Sequence, residues 1–262
     1  MKFTNKRKIY DKMPLWLKQR VCNIPFRLLA GQKYRNIYNR GTWFDNASEQ
    51  DIRVFQEERL YKILNFAVEE VPAYHEYKSL VSRLKPFEAL KGFPLLEKET
   101  IQNDPNRFLP KSIKKIRHYE TTTGGTSGNQ LKIILDDSSQ SVETAFIHRL
   151  WRSVGYSPNN KRATFRGVLF SALNKEVFWQ ENPIYNELQF SPFDMNDRNL
   201  HLYIDKLIEY QPSYIHGYPS SLDSISEFIL RHSLQSSIPK ISAALLGSEG
   251  ATERQRERIS SA

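Results

Sequence analysis

The amino-acid sequence predicts an α/β fold, in which an N-terminal helical region is followed by alternating strands and helices. Three observations predict it. Several segments carry apolar residues near a 3.6-residue period, short apolar runs lie between them, and turns containing glycine or proline separate the two. With 262 residues, 39% of them hydrophobic, the chain is long enough to form a sizeable core in one large or two smaller domains.

Apolar residues recurring every three or four positions predict helices at 49–70, 138–154, 197–210 and from Ser221 onward. Ser48 is a suitable N-cap for the first helix, and Pro72 stops it. Short apolar runs that end at turns predict strands at 163–170, 213–216 and 241–246. The last run lies between Pro239 and Gly247 and is typical of a buried parallel strand. Prolines divide 75–112 into short helices or turns.

The first 40 residues are strongly basic. They hold eleven lysines and arginines against one acid, Asp11, a net charge of +10, whereas the whole chain carries +9. The apolar residues between these charges are Leu15, Trp16, Leu17, Val21, Ile24, Phe26, Leu28 and Leu29. We therefore predict a basic amphipathic arm over 1–47 and a separate domain over 48–262. Through residues 1–40 the arm either contacts the anionic inner face of a membrane or packs on the body of the protein.

Other features of the sequence exclude several kinds of ligand site and partner. The single cysteine, Cys22, excludes an intramolecular disulfide and a cysteine-based zinc site. His148, His201 and His232 lack metal-ligand spacing, so no metal site is expected within the chain. Nucleic acid is not expected either, because no nucleic-acid-binding motif accompanies the basic arm. Without a secretory leader or the ~18 apolar residues of a membrane span, we expect a cytoplasmic protein, peripheral to the membrane if the arm binds there.

The segment 121–128, Thr-Thr-Thr-Gly-Gly-Thr-Ser-Gly, lies between predicted strand segments at 115–120 and 131–135. Glycines let several backbone N–H groups approach one anion, and small hydroxyl side chains add donors. The segment is no kinase-type P-loop, since Asn129 and Gln130 stand where a lysine is required, and it lacks the dinucleotide fingerprint. We predict that nucleotide phosphate is bound by Thr123, Gly125, Thr126, Ser127 and Gly128. The alternative is a surface linker.

Two further turns follow predicted strands. Ligands of open α/β sheets bind beyond the carboxyl ends of the strands, so both turns are candidate walls of a site. The first turn contains His216, Gly217 and Tyr218, and the second contains Gly247, Ser248 and Glu249. For His216, the alternative is a buried structural histidine.

Five segments in this order resemble the adenylate-forming enzymes, specifically the phenylacetate-CoA ligase branch that includes capsular-polysaccharide CapK-type proteins. They are Val71-Pro72-Ala73-Tyr74, Phe93-Pro94-Leu95-Leu96-Glu97-Lys98, Thr123-Gly124-Gly125-Thr126-Ser127-Gly128, Gly217-Tyr218-Pro219-Ser220 and Gly247-Ser248-Glu249. The order and approximate spacing agree from residue 60 to residue 262.

The resemblance implies an ATP-dependent and Mg²⁺-dependent reaction. A carboxylate attacks the α-phosphate to give an acyl-adenylate and pyrophosphate, and CoA or another acceptor then takes the acyl group. By the same resemblance, the glycine loop at 123–128 holds the β- and γ-phosphates and 247–249 line the base and its sugar. From their position at a strand end, His216, Gly217 and Tyr218 are candidates for lining the acyl pocket, and the alternative for Tyr218 is simple packing.

The chain also departs from the family pattern. Gly124 stands where the family has Ser or Thr, and Gln130 and Leu131 stand where it commonly has proline followed by lysine or a small residue. The family's later motifs do not follow 247–249: an aromatic-Gly-x-x-Glu segment, a ribose-binding aspartate and a lid domain with a catalytic lysine. We therefore expect a domain truncated before the lid, with no catalytic residue assigned. We also expect self-association through the uncovered sheet edge after 241–246.

Three hypotheses follow. The chain is an acid-activating ligase that is incomplete because its later motifs are missing; a catalytically inactive nucleotide-binding or partner-binding fragment; or a membrane-associated accessory protein of surface-polysaccharide assembly.

Overall fold

The computed structural model describes Tyr10 and residues 13–21, 24–123, 130–167 and 178–262. These residues form two compact units, one built from residues 39–142 and the other from residues 13–38 and 143–262. The division into an arm over 1–47 and a domain over 48–262 stays a prediction.

The helices of the described residues are α1 (Leu15–Val21), α2 (Phe26–Leu29), α3 (Gly31–Asn39), α4 (Gly41–Asn46), α5 (Glu49–Glu70), α6 (Lys78–Arg83), α7 (Pro86–Leu90), α8 (Lys98–Asn103), α9 (Ser139–Trp151), α10 (Asp197–Tyr210), α11 (Pro219–Arg231) and α12 (Glu253–Ser261). The strands are β1 (His118–Thr122), β2 (Lys132–Asp136), β3 (Arg162–Phe165), β4 (Trp179–Asn182), β5 (Glu187–Phe190), β6 (Tyr214–Gly217) and β7 (Ala243–Leu246). The predicted α/β class is confirmed.

The first unit is organised around α5. Its predicted N-cap is confirmed: Ser48 Oγ accepts a hydrogen bond from Asp51 N at 3.1 Å, and Asp51 Oδ2 accepts one from Ser48 N at 3.1 Å. Pro72 opens a 3₁₀ turn directly after the helix, as predicted. The short helices expected in 75–112 are also present, and α6 and α7 pack on α5 around buried Leu64, Val68, Val81 and Ala89.

The glycine-rich segment connects the strands of an antiparallel hairpin. β1 pairs with β2 from His118 opposite Asp136 to Thr122 opposite Lys132. Thr123 closes the ladder, because its amide donates to Leu131 O at 3.0 Å and its Oγ1 accepts from Leu131 N at 3.1 Å. The predicted strand–loop–strand order is confirmed, whereas residues 124–129 lie outside the described residues.

The second unit contains a five-stranded sheet in the order β4-β5-β3-β6-β7. Strands β5, β3, β6 and β7 are parallel, and β4 pairs antiparallel to β5 at one edge. Three of these strands were predicted, with small shifts at their ends, and α11 begins at Pro219 rather than Ser221 because proline fits the first turn of a helix. The end of the predicted strand at 168–170 lies outside the described residues.

The prediction was incomplete for β4 and β5, which it did not assign. The alternating Glu187 and Gln189 of β5 face the same side of the sheet as Arg162 and Thr164 of β3, so this strand lacks a continuous apolar run. Its other face is apolar, with Leu188 and Phe190 fully buried.

The two faces of this sheet differ in chemistry. One face is apolar: Phe165 and Phe190 stack at 4.6 Å, and they pack with residues of α10 and α11 such as Tyr203, Leu207 and Leu222. The other face is polar and aromatic, and is covered by Trp151 at the end of α9 and by Tyr156. The sheet is therefore held by a hydrocarbon layer on one side and by a buried polar layer on the other.

The polar layer is built on an ion pair between neighbouring strands. Arg162 Nη2 lies 2.7 Å from Glu187 Oε1, and both residues are only 5% exposed. Thr164 Oγ1 donates to the same carboxylate oxygen at 2.6 Å, and Asn182 and Gln189 each donate to Oε2 at 3.0 Å. The ion pair and these hydrogen bonds compensate the charges of Arg162 and Glu187, which would otherwise be costly to bury.

Two buried histidines complete this layer. His148 Nδ1 lies 2.9 Å from the Tyr34 hydroxyl, and the His216 ring meets Trp151 edge-on at 4.7 Å. Burial, and to a lesser extent the nearby charge of Arg162, lowers the pKa of each histidine from 6.5 to about 3. Both rings are therefore neutral at physiological pH.

Part of the predicted basic arm belongs to the second unit and contributes to its core. Phe26 of α2 is buried and meets Tyr34 of α3 edge-on at 5.2 Å, in a cluster with Ala145 of α9. Trp16 and Leu28 are exposed. For 26–38 the packed alternative is confirmed, because these aromatic rings fill part of the core. Within the described ranges, no helix combines the length and hydropathy that a membrane span requires.

We expect Glu187→Gln to destabilise the second unit by about 3–5 kcal/mol, because it leaves the Arg162 charge buried without its counter-charge. Urea unfolding followed by circular dichroism measures the change. The matched control is Asp197→Asn, which breaks the exposed pair of Asp197 with Arg231 and should leave the unfolding midpoint nearly unchanged. Equal effects of the two substitutions would contradict this account of the sheet.

We also expect the free energy of unfolding to fall as the pH is lowered from 7 to 5. Below pH 6.5 the unfolded chain gains a proton on each of the two histidines, whereas the folded chain does not until about pH 3. Each histidine therefore removes up to about 2 kcal/mol at pH 5. His216→Gln should reduce the loss of unfolding free energy between pH 7 and pH 5 by that amount. An unchanged loss would contradict a buried, neutral His216.

Candidate functional site

The candidate site lies at the carboxyl edge of the five-stranded sheet. Phe165, at the end of β3, is opposite Gly217 of β6, and Gly217 is in turn opposite Leu246 of β7. Three turns consequently leave the sheet at one level: 166–167, 218–220 and 247–249. The structure thus brings together the two turns singled out by the sequence and adds a third from β3.

Gly217 allows the three strands to end this close together. A Cβ atom at this position would lie 2.8 Å from Phe165 O and 3.2 Å from Leu222 Cδ2, so no larger residue fits without displacing the backbone. The Gly217 carbonyl accepts a hydrogen bond from Gly247 N at 3.2 Å, and Tyr218 N donates to Phe165 O at 3.2 Å. The role assigned to Gly217 by sequence, a wall of the acyl pocket, stays a prediction.

Side-chain hydrogen bonds join the turns to one another. Arg166 Nη2 donates to Ser248 Oγ at 2.8 Å, and Ser220 Oγ donates to Glu249 Oε2 at 2.8 Å. The Ser220 amide, in the first turn of α11, also points to this carboxylate at 3.3 Å. Glu249 therefore lies where the dipole of α11 favours a negative charge.

Ser248 has a backbone conformation that is unusual for a residue with a side chain. Its φ is +69°, in the left-handed region that favours glycine. Such a conformation persists only where the surroundings hold it, here through the hydrogen bond from Arg166. The turn thereby presents the Ser248 hydroxyl at the exposed rim of the sheet.

Arg166 is the functional candidate that the sequence analysis missed. Its guanidinium carbon lies 5.7 Å from the centre of the Tyr218 ring, and its side chain spans from the end of β3 to the turn after β7. An arginine directly after a buried strand was a usable signal, because it places a cation at the edge where ligands of such sheets bind.

His216 lies below this rim and supplies no charge to it. The residue is 7% exposed, and among the described residues its Nδ1 has no hydrogen-bond partner. Its Nε2 faces Gly247, since a Cβ on that glycine would lie 3.9 Å away. A neutral, buried ring packed on Trp151 accords with the structural alternative, and its acyl-pocket role stays a prediction.

The predicted phosphate-binding residues are placed only in part. Thr123 is described and closes the β1–β2 hairpin, whereas Gly125, Thr126, Ser127 and Gly128 lie outside the described residues. Their role therefore stays a prediction.

The described residues suit an anionic ligand better than a protein-bound metal ion. Within the described ranges, no group of three or more His, Cys, Asp or Glu side chains could hold a metal. Arg166, Ser248 and the exposed turn backbone instead offer hydrogen-bond donors, which fit a nucleotide or an acid.

No protein-family model matches this chain. Protein CapK of Staphylococcus aureus is 24% identical to it over 260 residues, a match that covers 97% of this chain and 57% of that protein. The chain therefore spans little more than half the length of this relative.

Solved structures of a 2-hydroxyisobutyryl-CoA ligase share the fold. The open conformation bound to 2-HIB-AMP and CoA matches with a TM-score of 0.54 and 14% identity, over 82% of this chain and 52% of the ligase. The postadenylation state bound to 2-HIB-AMP matches with a TM-score of 0.54 and 15% identity, over 78% of this chain and 45% of the ligase. The resemblance found in the sequence is confirmed to this extent: the chain is similar to CapK over most of its length, and it shares part of the α/β fold of an acyl-CoA ligase.

Proposed function

We propose that this chain provides part of a site that activates a carboxylic acid as an acyl-adenylate. The observation that carries the proposal is the carboxyl edge of the sheet, where Arg166, Ser220, Ser248 and Glu249 join three turns around an exposed rim. The shared fold with a ligase solved with an acyl-AMP and CoA supports the same reaction class.

In the proposed reaction, a carboxylate oxygen of the acid bonds to the α-phosphorus of ATP. The bond from that phosphorus to the bridging oxygen breaks, and pyrophosphate leaves with the electron pair. The site must stabilise negative charge on the phosphate oxygens during this displacement. CoA or another nucleophile would then take the acyl group and release AMP.

Each predicted site residue has a role in this proposal. Donors from the glycine loop bind the β- and γ-phosphates together with Mg²⁺; they are Thr123, Gly125, Thr126, Ser127 and Gly128. The turn at Gly247, Ser248 and Glu249 lines the base and the ribose, and Gly217 and Tyr218 line the acyl pocket above buried His216. No catalytic acid or base is assigned, because charge stabilisation and positioning supply most of the catalysis in such a displacement.

The finer assignment is a phenylacetate-CoA ligase-like enzyme in surface-polysaccharide synthesis. It rests on the five sequence segments, together with the 24% sequence identity to CapK over 97% of this chain. The division into an arm over 1–47 and a partial AMP-binding domain over 48–262, a cytoplasmic location and self-association through the β7 edge are parts of the same proposal.

A second candidate function, a membrane-associated accessory protein, is favoured by the surface of the arm. Trp16, Ile24 and Leu28 are exposed, and Lys18, Arg20 and Arg27 lie next to them in sequence. Exposed apolar side chains among cations suit an anionic lipid surface. In a third alternative, the chain binds nucleotide without reacting.

The test is ATP-dependent pyrophosphate release by the purified chain with a panel of carboxylic acids. Thr126→Ala/Ser127→Ala removes two predicted phosphate donors and should lower the rate about a hundredfold. Ser236→Ala/Ser237→Ala, at two exposed serines of a 3₁₀ turn, is the matched control and should leave the rate unchanged.

The other outcomes select the alternatives. ATP binding in calorimetry without pyrophosphate release would select an inactive nucleotide-binding chain. Neither ATP binding nor release, together with binding to anionic liposomes that is lost on removing residues 1–40, would select the membrane-associated function and contradict the adenylating one.

A further inference from the structure

Arg166 brings a cation to the rim of the candidate site. It lies half-buried one residue after β3, and its side chain reaches across the end of β6 to Ser248 Oγ at 2.8 Å. Arginine has five N–H donors, and among the described residues this is the only hydrogen bond that its side chain makes. No carboxylate of the described residues forms an ion pair with it. The hydrogen bond to Ser248 orients the guanidinium group and, with it, the N–H donors that are not used.

Among the described residues, the neighbouring charged and titratable groups do not neutralise the Arg166 charge. His216 is neutral, and the charge of Arg166 is itself one of the causes that lower the pKa of that histidine. The Glu249 carboxylate is bound by the Ser220 hydroxyl and amide. A ligand that reaches this rim therefore meets a positively charged, planar donor group, which matches the geometry of a carboxylate or phosphate.

Apolar surface lies beside the cation. Gly167 has no side chain, and a Cβ there would lie 3.3 Å from the Tyr218 hydroxyl and 3.9 Å from Phe193 Cζ. Phe193 is 65% exposed, although large aromatic side chains are usually buried. Gly167 thus lies against both rings, and the Tyr218 ring centre is 5.7 Å from the Arg166 guanidinium carbon. This arrangement suits an acid with an apolar stem and an anionic end.

The chemistry of adenylation indicates which anionic group Arg166 serves. The reacting carboxylate loses its charge when it becomes the acyl-phosphate anhydride. A cation bound to that carboxylate would stabilise the substrate more than the transition state and would slow the reaction. A cation bound to a second anionic group stabilises both equally, so it lowers KM without cost to kcat.

We propose that Arg166 binds a second anionic group of the acid, so that the substrates are acids with an anionic group besides the carboxylate that is activated, such as dicarboxylates. This inference rests on the proposed function. Arg166 acts as a specificity-determining residue held in place by Ser248.

The experiment compares acids that differ by one anionic group: succinate with butyrate, glutarate with pentanoate, and phthalate with benzoate. Binding to the full chain is measured by the shift in its thermal unfolding midpoint, and turnover by pyrophosphate release. The variants are Arg166→Gln, which removes the charge, and Arg166→Lys, which keeps it. Arg198→Gln, at an exposed arginine of α10, is the matched control.

At least one dianion should stabilise the chain more than its matched monoanion. Arg166→Gln should abolish this preference and raise KM for the dianion about tenfold or more, because a charge-assisted hydrogen bond is lost. The kcat value should change little, Arg166→Lys should restore part of the preference, and Arg198→Gln should change neither quantity.

Two results would overturn the inference. One is that no dianion is preferred over its monoanion. The other is that Arg166→Gln weakens ATP binding in calorimetry as much as it weakens acid binding, which would assign the arginine to a nucleotide phosphate. Failure of the proposed function is distinguishable from failure of this inference. An Arg166-dependent preference for dianions without pyrophosphate release would support the anion site and contradict adenylation. Pyrophosphate release without that preference would support adenylation and contradict the anion site.

Discussion

The buried ion pair between Arg162 and Glu187 is the interaction on which the second unit depends. It joins the first residues of β3 and β5, which lie opposite each other in the parallel register. Two charges at this depth are stable only as a fully hydrogen-bonded set, so Thr164, Asn182 and Gln189 are fixed with them. With the amino ends of the strands aligned in this way, their carboxyl ends are aligned as well, and that is where the turns of the candidate site begin.

The charges of this unit are therefore balanced in the polar layer, whereas the rim keeps an arginine with unused donors. Inside, the histidines are neutral, and the arginine of the interior is paired. At the rim, Arg166 retains donors that the described residues do not use, while Glu249 is held at the start of α11. A charge-balanced interior below a half-buried arginine is a suitable support for binding an anionic ligand, because the supporting side chains are already fixed by their own hydrogen bonds.

Periodicity predicted the four longest described helices, α5, α9, α10 and α11. The capped helix α5, the β1–β2 hairpin, the β6–α11 unit and strand β7 all follow from local signals such as Ser48, Pro72 and the apolar run before Gly247. Strand β5 could not be predicted in this way, since Glu187 is buried only because Arg162 is opposite to it. Arg166 was missed for a similar reason: its contact with Ser248 joins residues 82 positions apart.

The most direct test of the central claim, that the carboxyl edge of the sheet is a ligand site, is hydrogen–deuterium exchange of the full chain with and without Mg·ATP. The account predicts slower exchange in peptides that cover 214–220 and 243–250 when the nucleotide is present, and no change in α5. Unchanged exchange at both turns, in the presence of nucleotide that binds the chain by calorimetry, would contradict it.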